Sequence, residues 1–328
     1  MTSTRQQDAI LLGMLFAACG ERVLRSDLAR AAGIAPGELE HRLAPYLEAG
    51  YPIELHPQGG VSLGEPPDIW CAEEIVGRCP TRETFFAPGW DPVLLAETSS
   101  TNDVVREQAR NGARAGFVVA ASRQTRGRGR LGRGWESPPG LGLYLSILLR
   151  PGSPAMDAGQ LIILSSVSAA EAVEALAGFR PQIKWPNDLV ADGRKLGGLL
   201  IETEREGAEL SFAVLGIGLN VRQIADDFSP EVRSLATSLH LVTGRLYRRA
   251  DLLVALLQAL ERRLDAPFAD TRQVWEASSL TLGQRVTLTT VRGRKYGQAL
   301  GLDESGALLL RGESGEIETV TAGDMQAV

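Results

Sequence analysis

The 328-residue sequence predicts an α+β chain of three parts: a helical N-terminal module closed by a hairpin, a central mixed α/β domain, and a C-terminal small β-barrel. Three observations predict it. Apolar residues make up 44% of the chain and charged residues 23%, the composition of a globular protein with real cores. The apolar periodicity changes twice, from helical spacing to strand-and-helix alternation and then to short strands broken by glycine. At roughly 150 residues per domain, the length accommodates two or three domains.

Residues 1–65 carry the first module. Ile10, Leu11, Met14 and Leu15 form a helical apolar stripe. The run Ile10–Cys19 superficially resembles a secretion leader, but only Arg5 precedes it as a base and Asp8 stands nearby. It is too short to cross a bilayer and reads as a buried first helix; no other stretch approaches membrane-spanning length. Ser26 is placed to cap a short helix over Asp27–Ala32 that stops at Gly33, and Pro36 to open a third helix ending near Gly50. Ile53–Leu55, a Gly59-Gly60 turn and Val61–Leu63 read as a hairpin. Helix, short helix, turn, helix and wing is the order of a winged helix-turn-helix.

Glu65-Pro66-Pro67-Asp68 is a stiff linker into the central domain, residues 66–270. Strand-like runs lie at Phe117–Ala121, Leu143–Leu149, Leu196–Glu202 and Phe212–Leu219, and helical runs at Asn102–Asn111, Ala158–Ala177 and Arg249–Leu264. From about Arg272, in a last domain over 271–328, short strands at Arg285–Thr290, Gly297–Leu302, Ala307–Arg311 and Glu316–Val320 suggest the barrel. No internal repeat is found.

The net charge of −6 excludes a blanket affinity for nucleic acid or anionic membrane, so any polyanion site must be a local patch. Cys19, Cys71 and Cys79 have no C-x-x-C spacing and the three histidines are scattered. Neither a disulfide framework nor a metal centre is expected, and a reducing cytoplasm fits.

The chemistry concentrates in three segments. Between Ser122 and Trp135 stand five Arg and no acid. Such a Gly-rich loop lets backbone N–H groups and guanidinium forks approach an oxyanion. Gly127, Gly129 and Gly132 spell G-x-G-x-x-G, but Gly134 to Gly140, with two prolines, cannot supply the helix a dinucleotide site needs. A solvated basic loop is the bland alternative. Lys184-Trp185-Pro186-Asn187-Asp188 and Arg194-Lys195-Leu196-Gly197-Gly198 follow. Only three of the 34 basic residues are Lys, so Lys184 and Lys195 mark places where a compact ammonium matters. The Gly pair signals close approach of a ligand or another backbone. Gly216-Ile217-Gly218-Leu219-Asn220 ends a strand on the same logic. Together they suit a reaction joining a carboxylate to a nucleotide phosphate, where fixed positive charge and positioning dominate. No Ser/His/Asp set or paired-carboxylate motif competes.

Ser100-Thr101-Asn102, the Gly127–Gly134 loop, KWPND at Lys184–Asp188, RKLGG at Arg194–Gly198 and GIGLN at Gly216–Asn220 resemble the biotin protein ligase family in order and spacing. With the winged module and β-rich tail, the resemblance covers nearly the whole chain and matches the bifunctional form that also represses a biotin operon. It implies a ligase-type catalytic domain and an SH3-like C-terminal barrel. It implies formation of biotinyl-5′-AMP from biotin and ATP with Mg, then transfer to a lysine of the biotin carboxyl carrier protein of acetyl-CoA carboxylase. No tightly bound cofactor is implied. Partners would be the carrier protein, a second copy on adenylate binding, and biotin operator DNA.

Carried onto this chain, Ser100, Thr101, Asn102 and Gln124 would hold the biotin ring. Arg128, Gly129 and Arg130 would close over carboxylate and phosphate, and Lys195 would neutralise their junction. Lys184 and Asp188 would orient phosphates, metal or the incoming amine. Trp135, Asn187 and Asn220 would meet the nucleotide with Lys184, under a disordered-looking lid at Arg222–Ser234. Ser100 and Asn102 could equally be a helix N-cap. Arg25, Arg30, His41 and Arg42 are the candidate DNA contacts. Against them, residues 1–65 hold five Arg and eight acids, a net −3, so a ligase with a vestigial winged domain is an alternative. A lipoyl or octanoyl ligase, and a ligand-sensing regulator without ligase activity, are the others.

Overall fold

The structure, a computed structural model, describes residues 3–79, 90–150, 158–207, 209–290 and 293–327. Contacts divide the chain into two units: Met1–Leu94 with Arg248–Val254, and Leu95–Tyr247 with Ala255–Val328.

In the first unit the apolar stripe becomes helix α1 (Thr4–Ala17), with Leu11, Leu12 and Leu15 buried. Ser3 caps it, its hydroxyl accepting from the Gln6 N–H. Strand β1 (Val23–Leu24) leads into α2 (Arg25–Ala32), which ends on Gly33 at φ 65°, a left-handed position glycine takes without strain. Ser26 lies inside α2 instead of capping it; Leu24 holds the cap position without a side-chain bond. Pro36–Glu38 makes a 3-10 turn in which the Glu38 carboxylate accepts from the Ala35 N–H, and α3 (Leu39–Glu48) begins only after it. Strands β2 (Ile53–Leu55) and β3 (Gly60–Leu63) form the hairpin, with β1 on the other side of β3. Leu28, Leu39, Leu43, Tyr51 and Val61 complete the core.

The unit continues past the expected boundary at residue 65 for two reasons. Helix α4 (Ala72–Arg78) lies so close to α1 that neither Gly13 nor Gly77 has room for a Cβ. It also carries Glu74, which is fully buried. Glu74 accepts from Tyr51 Oη at 2.6 Å, Arg78 Nη1 at 2.7 Å and Arg248 Nη2 at 2.8 Å. Arg248 reaches the Pro67 carbonyl and Asp251, and Arg249 binds Asp68. A buried carboxylate persists only with such partners, so 248–254 is bound to this unit. Burial, and then the neighbouring Glu74, push the Tyr51 phenol far above its usual range.

The second unit is built on strand β4 (Val93–Leu95), on which the division between the units falls, and on β5 (Val118–Ala121), β6 (Gly142–Leu149), β7 (Gln182–Lys184), β8 (Asp188–Ala191), β9 (Arg194–Glu206) and β10 (Glu209–Asn220). Their order across the sheet is β4-β5-β6-β10-β9-β8-β7. Every pairing from β5 to β7 is antiparallel. Helix α5 (Thr101–Arg110) packs on β5, β6 and β10. Helix α6 (Ala158–Ala177) packs on β7, β8 and β9. α6 is long and apolar enough to cross a membrane, yet it is 61% buried within this fold, as a core helix is. Helices α7 (Leu239–Thr243), α8 (Arg249–Asp265) and α9 (Phe268–Ala277) follow.

The C-terminal sheet has the order β14-β13-β12-β11-β15, from β11 (Arg285–Thr290), β12 (Gly293–Leu302), β13 (Leu308–Arg311), β14 (Ile317–Val320) and β15 (Asp324–Ala327). All its pairings are antiparallel. Two elements differ from expectation. The stretch around Arg272 is helical, because α9 buries Trp275 and packs along α6. β15 has too few residues to show an alternation and forms by pairing with β11.

Replacing Glu74 by Ala leaves Arg248 and Tyr51 without their shared acceptor. We expect urea unfolding to show a loss of about 3–5 kcal/mol, against about 1 kcal/mol for Tyr51→Phe. Equal midpoints for Glu74→Ala and the parent chain would contradict this account of the buried cluster.

Candidate active site

Strand register creates the site. In β10, Gly216 lies opposite Ser146 of β6 and Leu200 of β9, and Gly218 lies opposite Gly198 of β9. Side chains two apart share a sheet face, so Ser146, Leu200, Gly216, Gly218, Gly198 and Glu202 lie on one face. An added Cβ on Gly218 would sit 2.5 Å from Trp135 Cε2, and one on Gly198 would be 3.3 Å from the same indole. Gly216 meets Asn102 just as closely. The missing side chains let an indole and a helix N-terminus lie on bare backbone.

At that N-terminus Ser100 occupies the cap position of α5 but makes no capping bond. Gln124 does the capping. Its Oε1 accepts from Thr101 N at 2.9 Å and Thr101 Oγ1 at 3.1 Å, and its Nε2 donates to Ser137. Ser146 Oγ lies 2.7 Å from Thr101 Oγ1 and 2.5 Å from Asn102 Oδ1, and Asn102 Nδ2 donates to Glu202 at 2.5 Å. The helix start is thus wired to the sheet by side chains.

The Arg-rich loop is ordered by its own backbone: Trp135 N donates to Gly127 O and Gly129 N to Arg133 O. Leu131 tops it at φ 57°, 69% exposed. Arg128 grips Asp103 with both terminal nitrogens, at 2.8 and 2.7 Å, and reaches Glu202 at 3.3 Å. The Arg128 hydrogen bonds hold the Asp103 carboxyl below its usual range. Glu202 is also lowered: burial raises it, but the Asn102 hydrogen bond and the charges of Arg128 and Arg106 outweigh that. Arg130 Nη1 donates to Asn187 Oδ1 at 3.1 Å, and its Nη2 to Gly323 O at 3.2 Å.

Lys195 Nζ lies 2.7 Å from Asp188 Oδ1 and 5.5 Å from the centre of the Trp135 ring. Its backbone accepts from Thr237 N and donates to Leu235 O. The segment read as a disordered lid is therefore built structure: a 3-10 turn at Ala225–Asp227, turns through Leu235, and a bridge onto Lys195. Asn187 donates to Leu199 O, and Asn220 donates to Thr237 O and accepts from Gln223.

These residues surround a cleft of about 890 Å³. Ser100, Thr101, Gln124, Arg128, Gly129, Arg130, Trp135, Asn187, Asp188, Lys195 and Asn220 line it. Asn102 and Lys184 do not; Asn102 is buried behind Ser146 and Glu202, and Lys184 ends β7 opposite Asp188. Phe228 and Val232 line it too; both lie in the segment expected over the nucleotide, but neither was singled out from the sequence. Among the described residues no group of three His, Cys, Asp or Glu could hold a metal ion.

The candidate DNA contacts lie in the first unit. Arg25 pairs with Glu40, Arg30 with Asp27 and Arg42 with Asp8, each at 2.7 Å. Arg42 also donates to Thr4 O, a side chain turned to α1 and only 15% exposed. His41 is exposed.

Residues 94–220 match the Biotin/lipoate A/B protein ligase family, and residues 281–327 the Biotin protein ligase C terminal domain. The chain is 32% identical over 331 aligned residues, covering 99% of both chains, to the "Bifunctional ligase/repressor BirA" of Bacillus spizizenii. It belongs to the biotin protein ligase family. This family member is also 32% identical over 231 residues to the "Biotin--[acetyl-CoA-carboxylase] ligase" of Paracoccus denitrificans, covering 68% of this chain and 95% of that one. Among solved structures it resembles the biotin protein ligase of Aquifex aeolicus in complex with biotin and ATP, with a TM-score of 0.63 and 32% identity over 72% of this chain and 97% of that one.

Gly218→Ala should push the Trp135 indole off the sheet and with it the platform beside Lys195. We expect altered Trp fluorescence and a loss of about 1–3 kcal/mol in stability. An unchanged emission spectrum would show that the indole does not depend on this glycine.

Proposed function

We propose that this biotin protein ligase joins biotin to ATP as biotinyl-5′-AMP, releasing pyrophosphate, and then passes biotin to a lysine of a biotin carboxyl carrier protein. The observation that carries the reading is Lys195: one ammonium, on a Gly-bearing strand, set between Asp188 and Trp135 in a cleft capped by an Arg-rich loop. The biotin carboxylate attacks the α-phosphorus and pyrophosphate leaves. Two unit charges about 4 Å apart repel by roughly 4 kcal/mol at an effective dielectric of 20, so cations must stand at that junction beforehand. Lys195 and Arg130 take that role, with Asp188 orienting Lys195. Mg would come with the triphosphate, near Asp188. Thr101 and Gln124 offer paired donor and acceptor groups for the ureido head, and Trp135, Asn187 and Asn220 face the nucleotide. In the second step a carrier lysine amine attacks the acyl carbon, AMP leaves, and a closed cleft protects the anhydride from water meanwhile. Cys19, Cys71 and Cys79 form no disulfide with one another, which suits a reducing, cytoplasmic setting.

The test is incubation with ATP, biotin and a carrier domain, read by intact mass, with octanoate as the competing acid. The parent chain should add one biotin to the carrier, and octanoate should not. Lys195→Ala should lower pyrophosphate release about 10²–10³-fold, the scale of losing one preorganised charge contact. Normal release by that variant would remove Lys195 from the junction.

We read the first unit as a winged helix-turn-helix, and the C-terminal antiparallel sheet as an SH3-like barrel. For repression, Arg25 and Arg30 must leave their acidic partners to meet phosphates, so one copy offers few cations. A dimer formed on adenylate binding would double them and match two half-sites. In fluorescence anisotropy on the biotin-gene promoter, we expect binding only with biotin and ATP present. Its log–log salt slope should be shallow, about −3 to −6. No binding at low salt under those conditions would leave a ligase carrying a vestigial winged domain.

A further inference from the structure

We propose that Asp103 and Glu202 are positioning residues that clamp Arg128, making this arginine the fixed anchor of the loop instead of a ligand of the substrate carboxylate. The inference rests on the reading of the cleft as a biotin-activating site. Its geometric basis is the fork. Arg128 gives two parallel bonds to one carboxylate and a third to another, so both of its terminal nitrogens are engaged by the protein, and its Nε is buried.

The surroundings hold both carboxylates in place. Asp103 stands in the first turn of α5, where the helix dipole favours a negative charge. Glu202 is fixed from the other side by Asn102 Nδ2 at 2.5 Å and by Arg106 Nη2 at 3.0 Å. Arg106 also reaches Asp103 at 3.2 Å. The charge of Arg128 is thus already met by two carboxylates of the protein, with Arg106 between them on the other side. The clamp sits at the base of the loop: Thr125 and Arg126 are bonded through their N–H groups to Thr98 O and Ser99 O before it, and the Gly129–Arg133 turn with exposed Leu131 lies beyond it. Holding Arg128 sets where that outer turn starts, and so where Gly129 and Arg130 stand over the cleft.

The two roles of Arg128 predict opposite behaviour when Asp103 is removed. If Arg128 binds the substrate carboxylate, Asp103→Ala frees it, and the KM for biotin falls or stays. If Arg128 is an anchor, Asp103→Ala loosens the loop as Arg128→Ala does. Biotinyl-adenylate is formed on the full-length chain from labelled biotin, ATP and pyrophosphatase, and its release is followed after a chase with unlabelled biotin. We expect release about tenfold faster in Asp103→Ala, in Glu202→Gln and in Arg128→Ala, the scale of one charge-assisted contact. The Asp103→Ala/Arg128→Ala double variant should be no faster than the faster single, because both remove one interaction. Asp103→Glu should recover part of the retention. Trypsin cleavage after Arg130 and Arg133 should accelerate in the same variants, a readout that needs no ligand. Unchanged release and cleavage in Asp103→Ala, a lower biotin KM in that variant, or multiplied effects in the double variant would overturn the clamp. Failure of the parent chain to form any adenylate would instead overturn the ligase reading, with the trypsin comparison still deciding the clamp.

Discussion

The central sheet gives up side chains where its neighbours need to touch it, and the rest of the site depends on that. Gly198, Gly216 and Gly218 share one face of β9 and β10, two of them directly opposite each other. Over two of them lies Trp135, and against the third Asn102. The position of the indole then fixes what can stack beside it, and Lys195 does so at 5.5 Å. Asn102 fixes Ser146 and Glu202, and Glu202 reaches Arg128. A chain of contacts thus runs from three missing Cβ atoms to the charged loop. It is a steric constraint first and an electrostatic one second.

Charge is handled differently in different parts of the chain. With a net charge of −6, the protein concentrates cations by placement. Where geometry must be held, it uses guanidiniums bonded to carboxylates, as a fork at Arg128 and as a bridge between Glu74 and Asp251 at Arg248. Where a compact charge stands at the cleft, it uses Lys195, whose single ammonium can shift between Asp188 and a bound anion without breaking a bidentate pair. The buried Glu74 cluster in the first unit follows the first rule, with desolvation offset by several donors.

Much of this could be read from the residues. The four main strand runs and the two long helices lie where the apolar patterns put them, because buried segments carry their own periodicity. The Gly pairs announced close approach, and the structure supplies the neighbours they admit. Short or tertiary-dependent features were not legible. Helix α9 carries Asp, Thr, Arg and Gln around one buried Trp275, too weak a stripe to outweigh the glycine-broken strands that follow. The 222–237 segment is polar and turn-rich, and its order comes from its own turns and from bonds to Lys195 and Asn220. Asp103 and Glu202 were missed as site residues because nothing in a linear sequence pairs a charge on a helix with one on a distant strand. The same blindness made Arg42 look like a surface cation when Asp8 holds it.

The scarcity of lysine has a chemical side. A ligase of this kind prepares an acyl group that reacts with primary amines, and the nearest amines are those of the enzyme. This chain presents only three lysine side chains across 328 residues. Two of them stand against carboxylates, Lys195 beside Asp188 and Lys295 beside Glu318. Guanidinium groups, which carry nearly all the remaining positive charge, stay protonated and inert toward such acyl donors. An Arg-for-Lys composition therefore leaves few side-chain amines for such an acyl donor to meet.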